Sequence, residues 1–326
     1  MMKDIRIFTT SIKMLCLCVS VFNLISCTQG ELMFRGNNIA SGYVSITPNK
    51  SVYALPTHRY HFYNTNGTTP YQSLTDDGAG NFHGSLPAGT YRVIATNTNA
   101  RNVVFNDMHN HEMAMVQANV VSQRKFANRN GEVMTMAQPD QVYRVVIEEL
   151  TVTTNDTIQA KPIPDLLTRS ITLSFGMDNE LQALVTGLKG SLPGIYPSVQ
   201  LFTGKTTDTE MARAPGLYTD YVAEKNTGRW MISIDLFGLC DPEHGEIYRN
   251  ISNVTLSTNT IDYEIEVDLT ESLSNIMENY EGALPVDIPI QLNVELELVD
   301  IEIAASVQSW SYVSNGMEVI VPITID

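Results

Sequence analysis

The sequence predicts an all-β protein made of two antiparallel β-sandwiches in tandem. Three observations carry that prediction. Apolar residues alternate with polar ones, strands are short and separated by Gly, Pro and Asn turns, and helical patterning is scarce. Tyr263-Glu264-Ile265-Glu266-Val267-Asp268-Leu269 sets apolar groups on one face and acids on the other. Ile288, Ile290, Leu292, Val294, Leu296 and Leu298 alternate in the same way, and Val299, Ile301 and Ile303 then continue the apolar face one residue out of phase. Such a slip predicts a β-bulge or a tight bend near Leu298-Val299. Met317, Val319, Val321, Ile323 and Ile325 form a last alternating strand after an Asn315-Gly316 hairpin signal. Only residues 269–281 pattern as one short helix.

The N-terminus organises the rest of the chain. Lys3, Arg6 and Lys13 give a positive lead, followed by the apolar run Met14 to Phe22 and by Leu24-Ile25-Ser26-Cys27. That order is the layout of a secretory signal, and the run is shorter than the about 20 residues a bilayer span needs. Leu24-Ile25-Ser26-Cys27 resembles the bacterial lipobox, so cleavage before Cys27 and acylation of its thiol are expected. The lipid then holds the chain to a membrane, each buried methylene contributing about 0.8 kcal/mol. The divisions expected are a signal peptide over 1–26, a lipidated tether over 27–38, a first sandwich over 39–158, a linker over 159–165 and a second sandwich over 166–326. The polar stretch 151–157 and the prolines Pro162 and Pro164 mark that linker.

Cysteine usage and charge exclude several function classes. Cys16 and Cys18 leave with the signal and Cys27 is acylated, so Cys240 has no disulfide partner. A disulfide scaffold and a cysteine-ligated zinc site are thereby excluded, and Cys240 is expected as a small buried hydrophobe. The formal net charge is −16. Loss of Lys3, Asp4, Arg6 and Lys13 removes a net +2 and leaves −18. That charge argues against nucleic acid and against a basic membrane-binding patch.

Asp76-Asp77-Gly78-Ala79-Gly80-Asn81 opens the most informative window. Its acids lack the alternate spacing and closing Glu of an EF-hand, so a plain turn is expected rather than calcium. Phe82 starts a strand, Leu86-Pro87-Ala88-Gly89 turns, and Tyr91, Val93 and Ala95 share one face of the next strand. The lipobox, the Leu-Pro-Ala-Gly-Thr-Tyr-Arg-Val-Ile-Ala-Thr-Asn stretch, Leu167-Thr168-Arg169 and Gly190-Ser-Leu-Pro-Gly-Ile-Tyr-Pro-Ser198 together resemble the fimbrillin-related lipoproteins of Bacteroidetes. Within that group the chain is most similar to the Mfa2/FimB-type fimbrial anchors and their relatives. The resemblance implies transthyretin-like sandwiches, an outer-membrane position at the base of a surface fimbria, and fimbrial subunits as partners. It carries over no binding-site residue.

Catalytic signatures are absent from the sequence. It has no Gly-x-Ser-x-Gly elbow, no His-Glu-x-x-His and no phosphate loop. His109-Asn110-His111-Glu112 is the densest group of metal-ligating types and reads as a polar loop. His58 and His61 are expected on a strand of alternating exposure. Trp230 and Trp310 are expected in the cores rather than as sugar-stacking platforms. The reading is a non-enzymatic surface lipoprotein with no cofactor beyond the lipid on Cys27, either a fimbrial anchor or minor subunit. A surface glycan-binding lipoprotein of a nutrient-uptake system is the alternative, and a lipoprotein enzyme is a weaker third. The strand Met317, Val319, Val321, Ile323, Ile325 is the candidate for pairing with a fimbrial partner, as a terminal strand does in fimbrillin-type polymers. Its competing reading is an ordinary last hairpin of the second sandwich.

One outcome follows from Cys27. Cells labelled with a clickable palmitate should carry label on the wild-type protein, and Cys27→Ala should give an unlabelled protein lost from the membrane fraction. An unlabelled wild type refutes the lipoprotein assignment.

Overall fold

The computed structural model describes residues 40–49, 58–66, 71–125, 132–206, 217–240, 249–280, 283–286, 288–299, 302–314 and 317–323. The signal peptide, Cys27 and the tether lie outside the described residues. The first half contributes β1 (Ser41–Ile46), β2 (His58–Asn64), β3 (Gln72–Thr75), β4 (Phe82–Pro87), β5 (Gly89–Asn97), β6 (Val103–Asn106), β7 (Met115–Ala118), β8 (Val120–Lys125), β9 (Glu132–Met136), β10 (Tyr143–Val152), β11 (Thr157–Ala160) and β12 (Asp165–Leu166). The second half contributes β13 (Arg169–Met177), α1 (Asn179–Leu184), β14 (Val185–Pro193), β15 (Ser198–Gln200), β16 (Leu217–Asn226), β17 (Arg229–Leu236), β18 (Ile251–Thr258), β19 (Asp262–Asp268), α2 (Thr270–Glu278), β20 (Ile290–Val299), β21 (Glu302–Ser314) and β22 (Met317–Pro322). The chain is all-β, with mainly antiparallel sandwiches in tandem, as the alternation predicts, and they are transthyretin-like, as the family resemblance implies.

The first sandwich faces a sheet in the order β11-β1-β4 against one in the order β12-β10-β5-β2-β3. Alternation along β1 turns Val44 and Ile46 inward, where they meet Tyr60, Phe62, Phe82, Leu86, Tyr91 and Val93. The rings pack at tilted and edge-on angles, with Phe62 and Phe82 centroids 4.9 Å apart and Phe62 perpendicular to Tyr91 at 6.3 Å. Burial of each such ring contributes about 1.5–3 kcal/mol, and the offset geometry adds to it. Residues 157–160, at the edge of the expected linker, form β11, which pairs in parallel with β1 from Tyr43↔Thr157 to Ile46↔Ala160. Pro162 and Pro164 fall between β11 and β12, where no ladder needs their missing N–H.

The five-stranded sheet is covered on both faces. His61, Tyr63 and Ile94 point away from the first core, and Tyr63 and Ile94 pack into the second. The alternation expected for His58 and His61 is therefore lost: they are 1% and 5% exposed, and only Arg59 on β2 faces water. The covering layer comes from an excursion between β5 and β10. Hairpin β6–β7 pairs with β15, and hairpin β8–β9 pairs with β16. Residues 103–136, inside the span expected for the first sandwich, are thus hydrogen-bonded to strands of the second half.

The second half holds two sheets joined at β16. Six of its residues ladder with β14, from Tyr218↔Pro193 to Ala223↔Leu188, and its last three ladder with β17. One sheet runs β19-β18-β14-β16, the other β17-β13-β20-β21-β22. The β16–β17 turn has positive φ at Thr227 (46°) and Gly228 (85°), the backbone that a tight two-residue hairpin requires. Between the sheets lie Leu173, Phe175, Tyr221, Leu256, Leu292 and Val294. β13 and β20 pair in parallel at the centre, β13 buried over most of its length and β20 along its inner face.

Two local expectations resolve here. The phase slip after Leu298 is the tight bend: β20 and β21 form a hairpin closed by Val299↔Glu302. The bulge lies elsewhere, between Asn293↔Ser309 and Val294↔Val307, where Gln308 is the extra residue. The short helix predicted over 269–281 is α2, which buries Leu273, Ile276 and Met277 at i, i+3 and i+4. A second helix, α1, starts at Asp178, whose Oδ1 accepts the N–H groups of Glu180 (2.9 Å) and Leu181 (2.8 Å). Its Oδ2 accepts the Leu298 N–H at 2.9 Å and so ties the helix to β20.

The covered sheet predicts a pH dependence. Desolvation, with a smaller push from Arg59, lowers the His61 pKa from about 6.5 to about 4. The unfolded chain then binds more protons between those values, so stability is complete above about pH 6.5 and falls as the pH drops toward 4. His61→Phe keeps the stack on Tyr71. In thermal melts it should remove on the order of 2 kcal/mol of the loss between pH 7 and pH 4.5. An unchanged pH slope would refute the role of His61.

Candidate functional site

The candidate pairing strand, β22, is the edge of its sheet. It folds back on β21 in a register running from Ser309↔Pro322 through Trp310↔Val321 and Tyr312↔Val319 to Ser314↔Met317. The two-residue connection agrees with the Asn315-Gly316 signal, although those residues, like Ile325, lie outside the described set. Val319, Val321 and Ile323 are half-buried, and Val321 and Ile323 pack against the second core. Met317 and Ile320 are 69% and 61% exposed. Pro322 ends the strand, and the Ile323 N–H donates to Gln308 O at 3.1 Å. No strand pairs with the far side of β22 among the described residues. An edge of this kind presents unpaired backbone donors and acceptors to another chain.

On the next strand, Trp310 is 6% exposed and stacks on Tyr312 at 5.4 Å. Ser311 Oγ donates to Glu318 Oε1 at 2.8 Å and braces the hairpin on its outer face. Trp230 is 8% exposed, with Lys225 Nζ 5.9 Å from its ring centroid. Neither indole offers a flat exposed platform for a sugar.

The other candidate groups have structural partners. Asp77 Oδ1 accepts from Ala79 N and Asn81 N at 2.8 and 3.0 Å, and Asp76 Oδ2 accepts from His58 N and Gly80 N at 2.9 and 2.7 Å. The Asn81 side-chain bond, helped by backbone N–H groups, holds the Asp77 carboxyl at about 2. These carboxylates organise a turn. His109 to Glu112 also form a turn. His111 is hydrogen-bonded to Arg92 and lies 5.5 Å edge-on from Phe202, a contact between the two halves. Desolvation, then Arg92, lowers its pKa. No group of three or more His, Cys, Asp or Glu side chains among the described residues is placed to hold a metal. Cys240 is buried, its N–H donating to Gly194 O at 2.8 Å. No helix among the described residues is long and apolar enough to cross a membrane.

Sequence reasoning missed three arginines. Arg144 on β10 donates through Nη1 to Phe202 O at 2.8 Å and through Nη2 to Asp165 at 3.1 Å. Gly204, with φ of 73°, packs where a Cβ would come within 2.5 Å of that Nη2. Arg169 donates to Leu284 O at 2.8 Å and Phe237 O at 2.6 Å. Arg229 joins Ser174 Oγ at 2.7 Å and Glu295 Oε1 at 2.6 Å. The available signal was a lone Arg in a strand-like setting, as in Tyr143-Arg144-Val145-Val146.

Solved structures that superpose with a TM-score of 0.50 or more agree with this architecture. A candidate adhesin from Bacteroides ovatus superposes with a TM-score of 0.53 at 13% identity, covering 72% of this chain and 84% of that one. A candidate polysaccharide-binding protein (DUF1812) from Bacteroides thetaiotaomicron gives 0.50 at 10%, covering 86% and 98%. The fimbrial anchor protein Mfa2 from Porphyromonas gingivalis gives 0.49 at 12%, covering 86% and 98%. No curated protein matches the chain in sequence. Residues 26–214 match the family model described as a domain of unknown function, DUF5119, and on a match over more than half of its length the chain belongs to the DUF5119 family.

Proposed function

We propose that the protein is a non-enzymatic, cell-surface lipoprotein that acts as the anchor or a minor subunit of a fimbria. The observation that carries this reading is the free edge at β22, an apolar terminal strand paired on one side only among the described residues. Such an edge can take up one strand of a partner subunit, main-chain bonds giving affinity and alternate side chains giving register. The fold shared with a candidate adhesin supports the reading. So does the sequence resemblance to fimbrillin-related lipoproteins. In this scheme a diacylated Cys27 sits in the outer membrane, residues 28–38 tether the body, and the two sandwiches project toward the polymer. Met317, Val319, Val321, Ile323 and Ile325 are the side chains that set register. The glycan-binding alternative draws no support from Trp230 and Trp310, which are buried as the sequence led one to expect.

The edge is tested by charge. Met317 and Ile320 are exposed, so Met317→Lys with Ile320→Lys should leave the melting temperature within a few degrees of wild type, as surface changes usually do. Lysine on an edge strand opposes strand addition, so the double variant should no longer co-purify with fimbrial subunit proteins. Undiminished co-purification by a folded double variant refutes the edge as the partner site.

A further inference from the structure

Where the two halves meet, the chain from Ile163 to Leu167 borders a cleft of about 330 Å³. Its apolar wall comes from Ile163, Pro164, Leu166, Leu167 and Val286, and the guanidinium groups of Arg144 and Arg169 line the remainder with the Asp165 carboxylate, Thr203 and Gly204. The two cations differ in their compensation. Arg144 has a carboxylate partner in Asp165, 3.1 Å away. Arg169 is held by backbone carbonyls alone, with Nε on Leu284 O and Nη1 on Phe237 O and Leu167 O. Among the described residues no carboxylate pairs with Arg169.

Burial disfavours the charge on both groups and lowers both pKa values. A partly desolvated cation without a counter-charge is unfavourable unless something returns the lost hydration. Carbonyl oxygens return part of it for Arg169 through Nε and Nη1, and the guanidinium keeps Nη2 as a charge-assisted donor for a carboxylate oxygen. The setting is specific, because the chain as a whole has a net charge of −16 and this cleft is locally positive. No aromatic ring lines it, so it lacks the surface on which a sugar would stack. Its volume, near the lower end for small-molecule pockets, suits one compact ligand.

We propose that this cleft binds a carboxylate carried on an aliphatic body, of the kind presented by an apolar residue at a peptide C-terminus, with Arg169 as the charge partner and the Ile163–Leu166 wall and Val286 as the apolar seat. The site draws on both halves: Arg144 and Leu166 belong to strands of the first sheet system, Arg169 to the second. Occupation would therefore also brace the junction between them.

The probe is N-acetyl-leucine, titrated calorimetrically into the full-length chain beside N-acetyl-leucinamide, D-galacturonate and inorganic phosphate. The acid should bind, and the amide should bind about tenfold or more weakly, as loss of a charge-assisted pair implies. Arg169→Gln should lose the preference for acid over amide. Because Arg169 also holds carbonyls, Ile163→Trp serves as a second variant. Ile163 is 65% exposed, so the larger ring should fill the cleft, abolish binding and leave the melting transition unchanged. Equal binding of acid and amide overturns the proposal, as does wild-type affinity in a folded Ile163→Trp. Binding of galacturonate or phosphate with N-acetyl-leucine silent overturns the aliphatic assignment, and silence of all four probes overturns the site.

Discussion

Strand β16 hydrogen-bonds to three neighbours, and the architecture depends on that division. Its first residues ladder with β14, its last three with β17, and Leu217 and Tyr218 also accept β9 from the excursion of the first half. A strand that leaves one sheet and enters another must turn a corner, which brings the two sheets face to face over a shared core. Tyr221 and Ala223 on the inner side of β16 then meet the residues of β13 and β20. The same strand holds β9 and so the layer that covers the first sandwich's outer face. Loss of the β16 ladder would open both halves at once.

The buried arginines play a complementary part. Their guanidinium groups each reach one or more backbone carbonyls. Arg144 links β10 to the turn at Leu201 and Phe202, and Arg229 links β17 to Ser174 and Glu295 on the two central strands. Each arginine spans elements far apart in sequence. The Arg229–Glu295 pair is about one-third exposed on both sides. Its worth then lies more in fixing register between β13 and β20 than in Coulomb attraction. The net negative charge of the chain opposes self-association in a protein that carries an open strand edge.

Much of this was legible in the sequence, and the gaps have physical causes. Alternation in 263–269, 288–298 and 317–323 located β19, β20 and β22, because each has one face on a core and one toward solvent. The same rule failed for His58 and His61, because their sheet is covered twice. The bulge was invisible for a different reason: its extra residue, Gln308, lies on β21 and points outward, so the apolar pattern of β20 runs past it unbroken. The excursion 103–136 left no local trace, since short strands that join a distant sheet carry no periodicity naming their partner. Of the candidate site, the apolar alternation of β22 was readable, whereas nothing in the sequence placed Arg144 and Arg169 together at one cleft, because their neighbours there come from distant parts of the chain.

The parallel pairing of β13 with β20 also constrains time. Ile171 lies beside Ile290, 119 positions later in the chain. Closing so long a loop is entropically costly, and sheets built on distant pairs form slowly, on the scale of milliseconds to seconds. While β20 is still being synthesised, the apolar residues of β13 have no parallel partner to cover them. The second half can complete its core only after β20 has emerged. A chain that delays its own collapse in this way stays threadable, the condition that passage through a narrow translocation channel demands.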